Sequence, residues 1–524
     1  MTHIYGEFGH SYNLHVFTNV WYQQRSVHAT FTNETEKMEM PSREVEELIP
    51  NLISEEDLGH NNLENNEPTW PLTVSLCKKC ACDNEKVDCR DHNLLILEDD
   101  DLGGLISTNV VELDLSGNPI KALKRLPKLP IERLNLSRCD LSYLDGSPFL
   151  KLKNLEYLDL SYNQLPTSAI TRMTLAGYLE DDFILPRRFP NIRSLSLAYN
   201  NIHSLQKDAF IFMTELQFLD LTGNPLVFID QVTMAAITDL SKLKELRLSG
   251  CELESIPDGL LRRQRYLERL DLSSNKFTTV PTVLSETVNL LYLNLDGNLI
   301  SSLTEKTALS NLSKLEELHF SGFTRLQSIG PGALGGLANL VSLYITDNPK
   351  LTNLDPNFLI WEENEEEKWP PIKQLYLNNN NISEISPDYV VNWGELVAAN
   401  FSNNPYVCDC SNQWMVDVLV PMLRRIVKDD DNAMTCRKPP VLRSQAISYL
   451  HDISKQLECP SSVMMRTVNR PNTAIVLGIM IGIFVTFPMV FLIVLLWRRG
   501  FFLRCRKRMM RSDDKYEDEE TDAF

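Results

Sequence analysis

Eight of the eleven cysteines in the chain fall into two tight groups, a spacing at which thiols form disulfides or bind zinc. The groups are Cys77, Cys80, Cys82 and Cys89 before a repetitive region, and Cys408, Cys410, Cys436 and Cys459 after it. The stretch CKKCAC lacks the further ligands that a tetrahedral zinc site needs. We therefore predict disulfides, for which spacing alone leaves three connectivities open in each group.

The chain has none of the sequence motifs that mark common catalytic centres. It contains no nucleophile elbow, no phosphate-binding loop and no HExxH sequence. Its formal net charge of −19 disfavours nucleic acid, because an acidic surface repels phosphate. We predict a binding protein with no enzymatic activity, no cofactor, no metal site and no nucleic-acid partner.

The two cysteine groups enclose a repeat. The sequence pattern LxxLxLxxN recurs about twelve times between residues 110 and 404, at a period near 24 residues. The copies begin at Val110, Ile131, Leu155, Ile192, Leu216, Leu243, Leu267, Leu290, Leu315, Leu340, Ile372 and Leu396. This period and spacing are typical of leucine-rich repeats. The region resembles an α/β leucine-rich repeat solenoid, a curved horseshoe whose parallel strands line the concave face.

Each position of the repeat has a physical role. The two leucines of LxL share one strand face, since side chains alternate along a strand, and we expect them in the core. The asparagine that follows, as at Asn118 and Asn275, can satisfy backbone groups where the chain turns. Cys139 and Cys251 occupy that position, and we interpret them as structural thiols that act as weak donors. Phe323 replaces the asparagine of the repeat, so we expect a local irregularity there.

The cysteine groups resemble the flanking modules of extracellular leucine-rich repeat proteins, and Trp414 after CDC is specific to the C-terminal module. The resemblance implies the pairs Cys77–Cys82, Cys80–Cys89, Cys408–Cys436 and Cys410–Cys459. Caps are needed because a repeat cannot bury its apolar face alone. The predicted segments are a polar, disordered 1–72, a cap 73–105, repeats 106–404, a cap 405–460, a stalk 461–472, a transmembrane helix 473–497 and a cytosolic tail 498–524.

Outward-facing strand positions carry tyrosine, phenylalanine and arginine, of which tyrosine and arginine commonly anchor protein interfaces. We predict a protein-binding patch on the concave face, formed by Tyr157, Phe218, Arg247, Arg269, Tyr292, Tyr344 and Tyr376. The sequons for N-glycosylation before the predicted span are Asn33, Asn135, Asn311, Asn381 and Asn400. Because Asn135 and Asn400 lie between strand leucines, glycans there would obstruct ligand entry, and we expect binding elsewhere along the arc.

Two insertions lengthen the repeats. One carries GYLEDDF before Ile192, and the other carries WEENEEEKWPP before Ile372. We interpret the acidic run as a solvated loop, with weak binding of calcium or of a basic partner as the alternative.

The stretch from Thr473 to Trp497 has no charged residue, and seven basic residues follow it up to Arg511. As a helix rising about 1.5 Å per residue it reaches roughly 37 Å, enough to cross the ~30 Å hydrocarbon core. A basic flank belongs to the cytoplasmic side. We predict a single-pass type I protein of the plasma membrane, anchored in the lipid bilayer with its N-terminus outside. Cys505 is a palmitoylation candidate, and the short tail has room for a cytosolic adaptor.

No signal peptide is evident, because the first 70 residues contain no apolar h-region. Export then requires either that the span itself drives translocation or that a first exon upstream of Met1 is missing. We favour the missing exon.

The whole sequence resembles the single-pass leucine-rich repeat adhesion and receptor proteins of animal cell surfaces. The resemblance implies an ectodomain that binds extracellular or cell-surface proteins, with weak signalling through recruited partners. The chain differs from several such proteins in having no immunoglobulin or fibronectin module between cap and membrane. Two other functions stay open, an auxiliary subunit of a membrane channel and a pattern-recognition co-receptor for microbial ligands.

Overall fold

A computed structural model describes residues 76–95, 97, 102, 104–107, 109–177, 189–304, 307–390, 396–426, 434–459 and 487–499. All of them belong to the second of two compact units, Trp70–Phe524. Several predictions fall outside the described residues: segments 1–72 and 461–472, the tail from residue 500, Asn33 and Cys505.

Most of the secondary structure consists of strands of two or three residues. In chain order they are β1 (Ala81–Cys82), β2 (Lys86–Asp88), β3 (Glu112–Asp114), β4 (Ala122–Leu123), β5 (Arg133–Asn135), β6 (Tyr143–Leu144), β7 (Tyr157–Asp159), β8 (Ser194–Ser196), β9 (Phe218–Asp220), β10 (Glu245–Arg247), β11 (Arg269–Asp271), β12 (Tyr292–Asn294), β13 (Ser302–Leu303), β14 (Glu317–His319), β15 (Ser328–Ile329), β16 (Ser342–Tyr344), β17 (Asn353–Leu354), β18 (Trp361–Glu363), β19 (Glu366–Lys368), β20 (Gln374–Tyr376), β21 (Ala398–Asn400), β22 (Tyr406–Val407) and β23 (Cys436–Lys438). The helices are α1 (Gln231–Thr238), α2 (Val420–Ile426), α3 (Ile447–Asp452) and α4 (Phe487–Arg498), with a π-helical turn at Met415–Leu419. Short 3-10 turns occupy Leu76–Lys78, Gly104–Ser107, Thr167–Ala169, Thr282–Glu286, Ala308–Asn311, Pro387–Val390, Cys410–Asn412 and Pro440–Leu442.

Among the described residues, fourteen strands form one sheet in the order β1-β2-β3-β5-β7-β8-β9-β10-β11-β12-β14-β16-β20-β21. Strands β1 and β2 pair antiparallel, and every later pairing in this sheet is parallel with its residues in register. The central residue of each repeat strand is buried, a leucine in all of them except Ala399 of β21. The first and third residues of strands β3, β5, β7–β12, β14, β16, β20 and β21 therefore line the other side, here called the sheet face.

Asparagine side chains tie neighbouring repeats together behind the sheet. The Nδ2 of Asn275 donates to the carbonyls of Leu248 (2.8 Å) and Leu272 (3.0 Å). Its Oδ1 accepts from the backbone N–H groups of Cys251 (3.1 Å) and Leu253 (3.0 Å). One buried amide thus satisfies backbone groups of two repeats at once. The same arrangement recurs at Asn118, Asn163, Asn200, Asn224, Asn298, Asn380 and Asn404.

Two buried thiols take the place of asparagine in this series of hydrogen bonds, here called the asparagine ladder. Their bonds confirm the interpretation of both thiols as weak donors. The Sγ of Cys139 donates to the Leu115 carbonyl, and the Sγ of Cys251 to the Leu221 carbonyl, both at 3.2 Å. Burial raises the pKa of Cys139 to about 11 and that of Cys251 to about 12. Both thiols therefore stay protonated and unreactive at neutral pH.

Disulfides link the cysteines of both flanking modules. They join Cys77 to Cys82, Cys80 to Cys89, Cys408 to Cys436 and Cys410 to Cys459, which are the pairs that the resemblance implies. In the first module β2 extends the sheet by pairing with β3. In the second, Tyr406 is fully buried and its hydroxyl donates to the Phe401 carbonyl at 2.5 Å, which ties the module to the last repeat.

Two local expectations need correction. The acidic insertion is not a loop but a hairpin, in which β18 and β19 pair antiparallel. Its turn residues Asn364 and Glu365 have φ of 55° and 66°, as a type I′ turn requires. At Phe323 the sheet continues without a register shift, because the Phe323 ring packs on Phe320 at 4.2 Å and its N–H still donates to the Asn348 amide. The other insertion, from Tyr178 onward, lies outside the described residues.

Helix α4 covers the last part of the predicted span. Within the described ranges, no helix has both the length and the apolar character needed to cross a bilayer. Residues 473–486 of the predicted span lie outside those ranges.

Candidate functional site

All seven side chains of the predicted binding patch lie on the sheet face, but the structure divides them into two groups. Arg269, Tyr292, Tyr344 and Tyr376 belong to one group, on β11 to β20, together with His319. Tyr157, Phe218 and Arg247 belong to the other, on β7 to β10, together with Arg133. The first group is called the aromatic ladder below.

The aromatic ladder is a continuous row of contacting side chains across five strands, stacked except between Tyr292 and His319, whose ring planes are tilted by 49°. The guanidinium of Arg269 lies 3.8 Å from the centre of the Tyr292 ring, and Tyr292 lies 5.3 Å from His319. His319 stacks on Tyr344 at 4.3 Å, and Tyr344 on Tyr376 at 4.8 Å. In-register parallel strands are about 4.8 Å apart, which is also a stacking distance. His319, Tyr344 and Tyr376 occupy equivalent positions in successive repeats, so their rings stack without adjustment.

His319 is the member of the ladder that the predicted patch omits. Its Nε2 lies 2.8 Å from the Glu317 carboxylate, and its Nδ1 lies 3.8 Å from the Asp296 carboxylate. The repeat register does carry a signal for it, because His319 has the same strand position as Tyr344 and Tyr376 in the next two repeats. Only the ring distances, however, show that it connects Tyr292 to Tyr344.

Asp296 lies beside the ladder and gives it a titratable neighbour. Its Oδ1 accepts the backbone N–H of Ser321 at 2.6 Å. Burial raises the pKa of Asp296 to about 6, although the Ser321 hydrogen bond and the nearby His319 act in the opposite direction. Ionisation of this carboxylate is thus less favourable in the folded state than in the unfolded chain.

The raised pKa of Asp296 makes stability depend on pH. An unfolded aspartate releases its proton near pH 4, whereas the folded one holds it to about pH 6, so this group lowers stability as pH rises through that window.

Asp296→Asn is expected to stabilise the protein at pH 7 by about 1 kcal/mol, a value reduced for partial solvent screening, since 32% of the side chain is exposed. Near pH 4.5 the variant and the wild type are expected to be equally stable in urea denaturation. An equal gain at both pH values would contradict the prediction.

The second group of the patch surrounds a depression in the sheet face of about 410 Å³. The Arg133 guanidinium lies 4.4 Å from the centre of the Tyr157 ring, and that of Arg247 lies 5.0 Å from the Phe218 ring. Arg247 also pairs with Glu245 at 2.6 Å. Cation–π contacts and ion pairs of this kind hold long side chains in place and reduce the entropy that binding would cost.

Two of the predicted glycosylation sites lie on the sheet face and two lie elsewhere on the surface. Asn135 and Asn400 are third residues of their strands, and the Oδ1 of each accepts the N–H of the residue two positions later. Asn311 and Asn381 are exposed. Glycosylation at all of these positions stays a prediction.

Across the described residues, no three His, Cys, Asp or Glu side chains come close enough to hold a metal ion. What the sheet face offers is aromatic area, ordered guanidinium groups and carboxylates, the chemistry by which proteins bind other proteins.

Comparison with known proteins identifies the repeats. Family models described as leucine rich repeat match residues 154–173, 185–240, 241–300 and 371–393. The chain is 30% identical over 249 residues to chaoptin of Drosophila melanogaster, covering 41% of this chain and 19% of chaoptin. It is 27% identical over 358 residues to the CD180 antigen of Mus musculus, covering 67% of this chain and 43% of that protein.

Among solved structures, one chain of an octameric complex of Latrophilin 3, Unc5D and FLRT2 is similar, with a TM-score of 0.45 and 21% identity. The match covers 70% of this chain and 95% of that one. This chain spans less than half the length of chaoptin and of the CD180 antigen. The repeated LxxLxLxxN pattern, the in-register parallel sheet and the family matches lead to one conclusion: the repeated region of this chain is built of leucine-rich repeats.

Proposed function

We propose that this chain is a membrane-anchored protein of the cell surface that recognises another extracellular protein through its sheet face. The observation that carries the proposal is the pre-ordered aromatic and arginine surface. Rings and a guanidinium group contact one another at 3.8 to 5.3 Å along the aromatic ladder, so they need little further ordering when a partner binds. Tyrosine and arginine are also the residue types enriched at the energetic centres of protein interfaces.

The surface location is supported by redox chemistry and by the apolar stretch near the end of the chain. Disulfides persist in oxidising compartments, and both flanking modules carry two. The uncharged stretch from Thr473 to Trp497, with its basic flank, supports a membrane anchor oriented with the repeats outside. The chain contains sequons that export would expose to glycosylation.

The location is tested by expressing the full chain with a tag after Phe524 in mammalian cells. We expect an antibody against residues 110–404 to stain intact cells, and glycosidase to reduce the mass of the stained protein. A start upstream of Met1 is tested in parallel by adding a signal sequence. If neither form reaches the surface, the proposed location is wrong.

The role of the sheet face is tested by alanine substitution. Replacing both Phe218 and Tyr292 is expected to weaken binding of a protein partner by more than about tenfold, because aromatic anchors contribute a large part of the interface energy. Tyr266→Ala is the matched control, since Tyr266 is 60% exposed and lies outside the sheet face. Binding that survives the double substitution, or that falls equally in the control, would contradict this role.

A further inference from the structure

The depression in the sheet face is centred on β8, the strand with the smallest outward side chains in that region. Ser194 pairs with Tyr157 of β7 on one side and with Phe218 of β9 on the other. Ser196, at the next outward position, is likewise a smaller side chain than its neighbours on β7 and β9. Two serines thus form the floor of a trough with an aromatic ring on each side, here called the β8 slot.

Both rings turn a face toward the β8 slot. The Arg133 guanidinium that covers Tyr157 comes from β5, on the side of β7 away from β8. The Arg247 guanidinium that covers Phe218 comes from β10, on the side of β9 away from β8. A ring with a cation over one face presents its other face in the opposite direction, so the uncovered faces look at each other across Ser194.

The width of the slot suits an unbranched aliphatic chain. The strands that carry the two rings are two sheet spacings apart, roughly 9.6 Å. The half-thickness of two rings leaves roughly 6 Å, which is wide enough for one alkyl chain to lie between the two faces.

One end of the slot is acidic. Asp159 of β7 and Asp220 of β9 flank Ser196 in register. Among the described residues, three carboxylates of this depression form ion pairs within 4 Å. Glu112 pairs with Lys86 at 2.6 Å, Asp114 with Arg90 at 3.7 Å, and Asp220 with Arg247 at 3.9 Å.

Asp159 differs from these three carboxylates, because no ion pair within the described ranges includes it. Its Oδ1 accepts the N–H of Ser161 at 2.8 Å, which fixes the carboxylate in position. A positioned but uncompensated carboxylate at the end of an apolar slot favours a cationic ligand.

We propose that the β8 slot binds a lysine or arginine side chain of the partner protein. The aliphatic stem lies over Ser194 between the Tyr157 and Phe218 rings, and the cation meets Asp159 and Asp220 beside Ser196. This inference rests on the proposed function and names the chemistry of the partner: a basic side chain inserted at this point of the sheet face. It also requires that Asn135, the in-register neighbour of Asp159, carries no glycan.

The test uses the full chain in detergent micelles and small probes, so it requires no knowledge of the partner. The probes are Nα-acetyl-lysine methylamide, its arginine analogue, and its norleucine analogue, which keeps the stem but lacks the charge. Binding is followed by saturation-transfer difference NMR. We expect the lysine or the arginine probe to bind and the norleucine probe to bind far more weakly; the tighter of the two cationic probes identifies the preferred head group.

Two variants and a control make the test specific. Asp159→Asn keeps the acceptor for the Ser161 N–H and removes the charge, and it is expected to weaken binding of the cationic probe by about fivefold. Ser194→Leu fills the slot and is expected to abolish binding. Ser342→Leu makes the same change at the same repeat position on β16, outside the slot, and is expected to leave binding unchanged.

Equal binding of the norleucine and lysine probes, or probe binding that survives both Asp159→Asn and Ser194→Leu, would overturn the proposal. So would failure of both cationic probes to bind the wild-type chain. The proposed function is tested separately by photocrosslinking of a partner from Tyr376 of the aromatic ladder, which lies outside the slot. Partner capture without probe binding would reject the slot alone, whereas probe binding without partner capture would reject the proposed function.

Discussion

Replacing Cys410 and Cys459 by alanine is expected to lower the free energy of unfolding by about 4 kcal/mol. The disulfide closes a segment with a sequence separation of 49, and the entropy that a crosslink removes from the unfolded chain grows with the length of that segment. The second flanking module depends on it, because the residues of the module that the structure describes form little regular structure beyond short helices and the β22–β23 pair.

The matched comparison is the pair Cys77 and Cys82, whose sequence separation is 5. The same reasoning gives a loss of only about 2 kcal/mol for its removal. Both double variants are compared with the wild type by guanidinium denaturation under non-reducing conditions. A loss for the short pair that equals or exceeds the loss for the long pair would contradict the loop-length explanation.

Asn275→Ala is expected to destabilise the protein by about 3 kcal/mol or more. The substitution leaves the Leu248 carbonyl and the N–H groups of Cys251 and Leu253 without their side-chain partner. These three residues are fully buried, and an unsatisfied buried backbone group costs about 1–3 kcal/mol. The Leu272 carbonyl is less affected, because it also accepts from Asn298 at 3.0 Å.

Asn275→Cys provides a graded control. A thiol already takes this position in the preceding repeat, where Cys251 Sγ donates to the Leu221 carbonyl. The variant is therefore expected to keep one weak donor and to lose less stability than Asn275→Ala. Urea denaturation measures both. A loss below about 1 kcal/mol for the alanine variant would mean that water replaces the amide.

The sequence predicts the sheet face closely, because its pattern and the geometry share one period. Each LxL places its leucines in the core, and parallel in-register pairing then fixes which outward residues are neighbours, such as Arg269 beside Tyr292. The asparagine ladder follows for the same reason. Because the repeat is regular, the side-chain alternation within one LxL segment predicts the arrangement of the whole sheet.

Features that depend on side-chain conformation were not predictable in this way. The role of His319 as a link between Tyr292 and Tyr344 depends on ring orientation, which the repeat position does not specify. The acidic insertion forms a hairpin because Asn364 and Glu365 adopt positive φ, although glutamate is not typical of such a turn. At Phe323 an aromatic pair fills the space that an asparagine occupies elsewhere, so the change in the repeat pattern does not interrupt the sheet.

The central claim is that the sheet face contacts a protein partner outside the cell, and site-specific photocrosslinking tests it most directly. A benzophenone amino acid replaces Phe218 on the sheet face, or Tyr266 outside it, in the full chain displayed on cells that are mixed with candidate partner cells. After irradiation and purification, we predict a discrete crosslinked protein from Phe218 and none of that mass from Tyr266. The same adduct from both positions, or no adduct from Phe218 under conditions where the cells bind one another, would contradict the account.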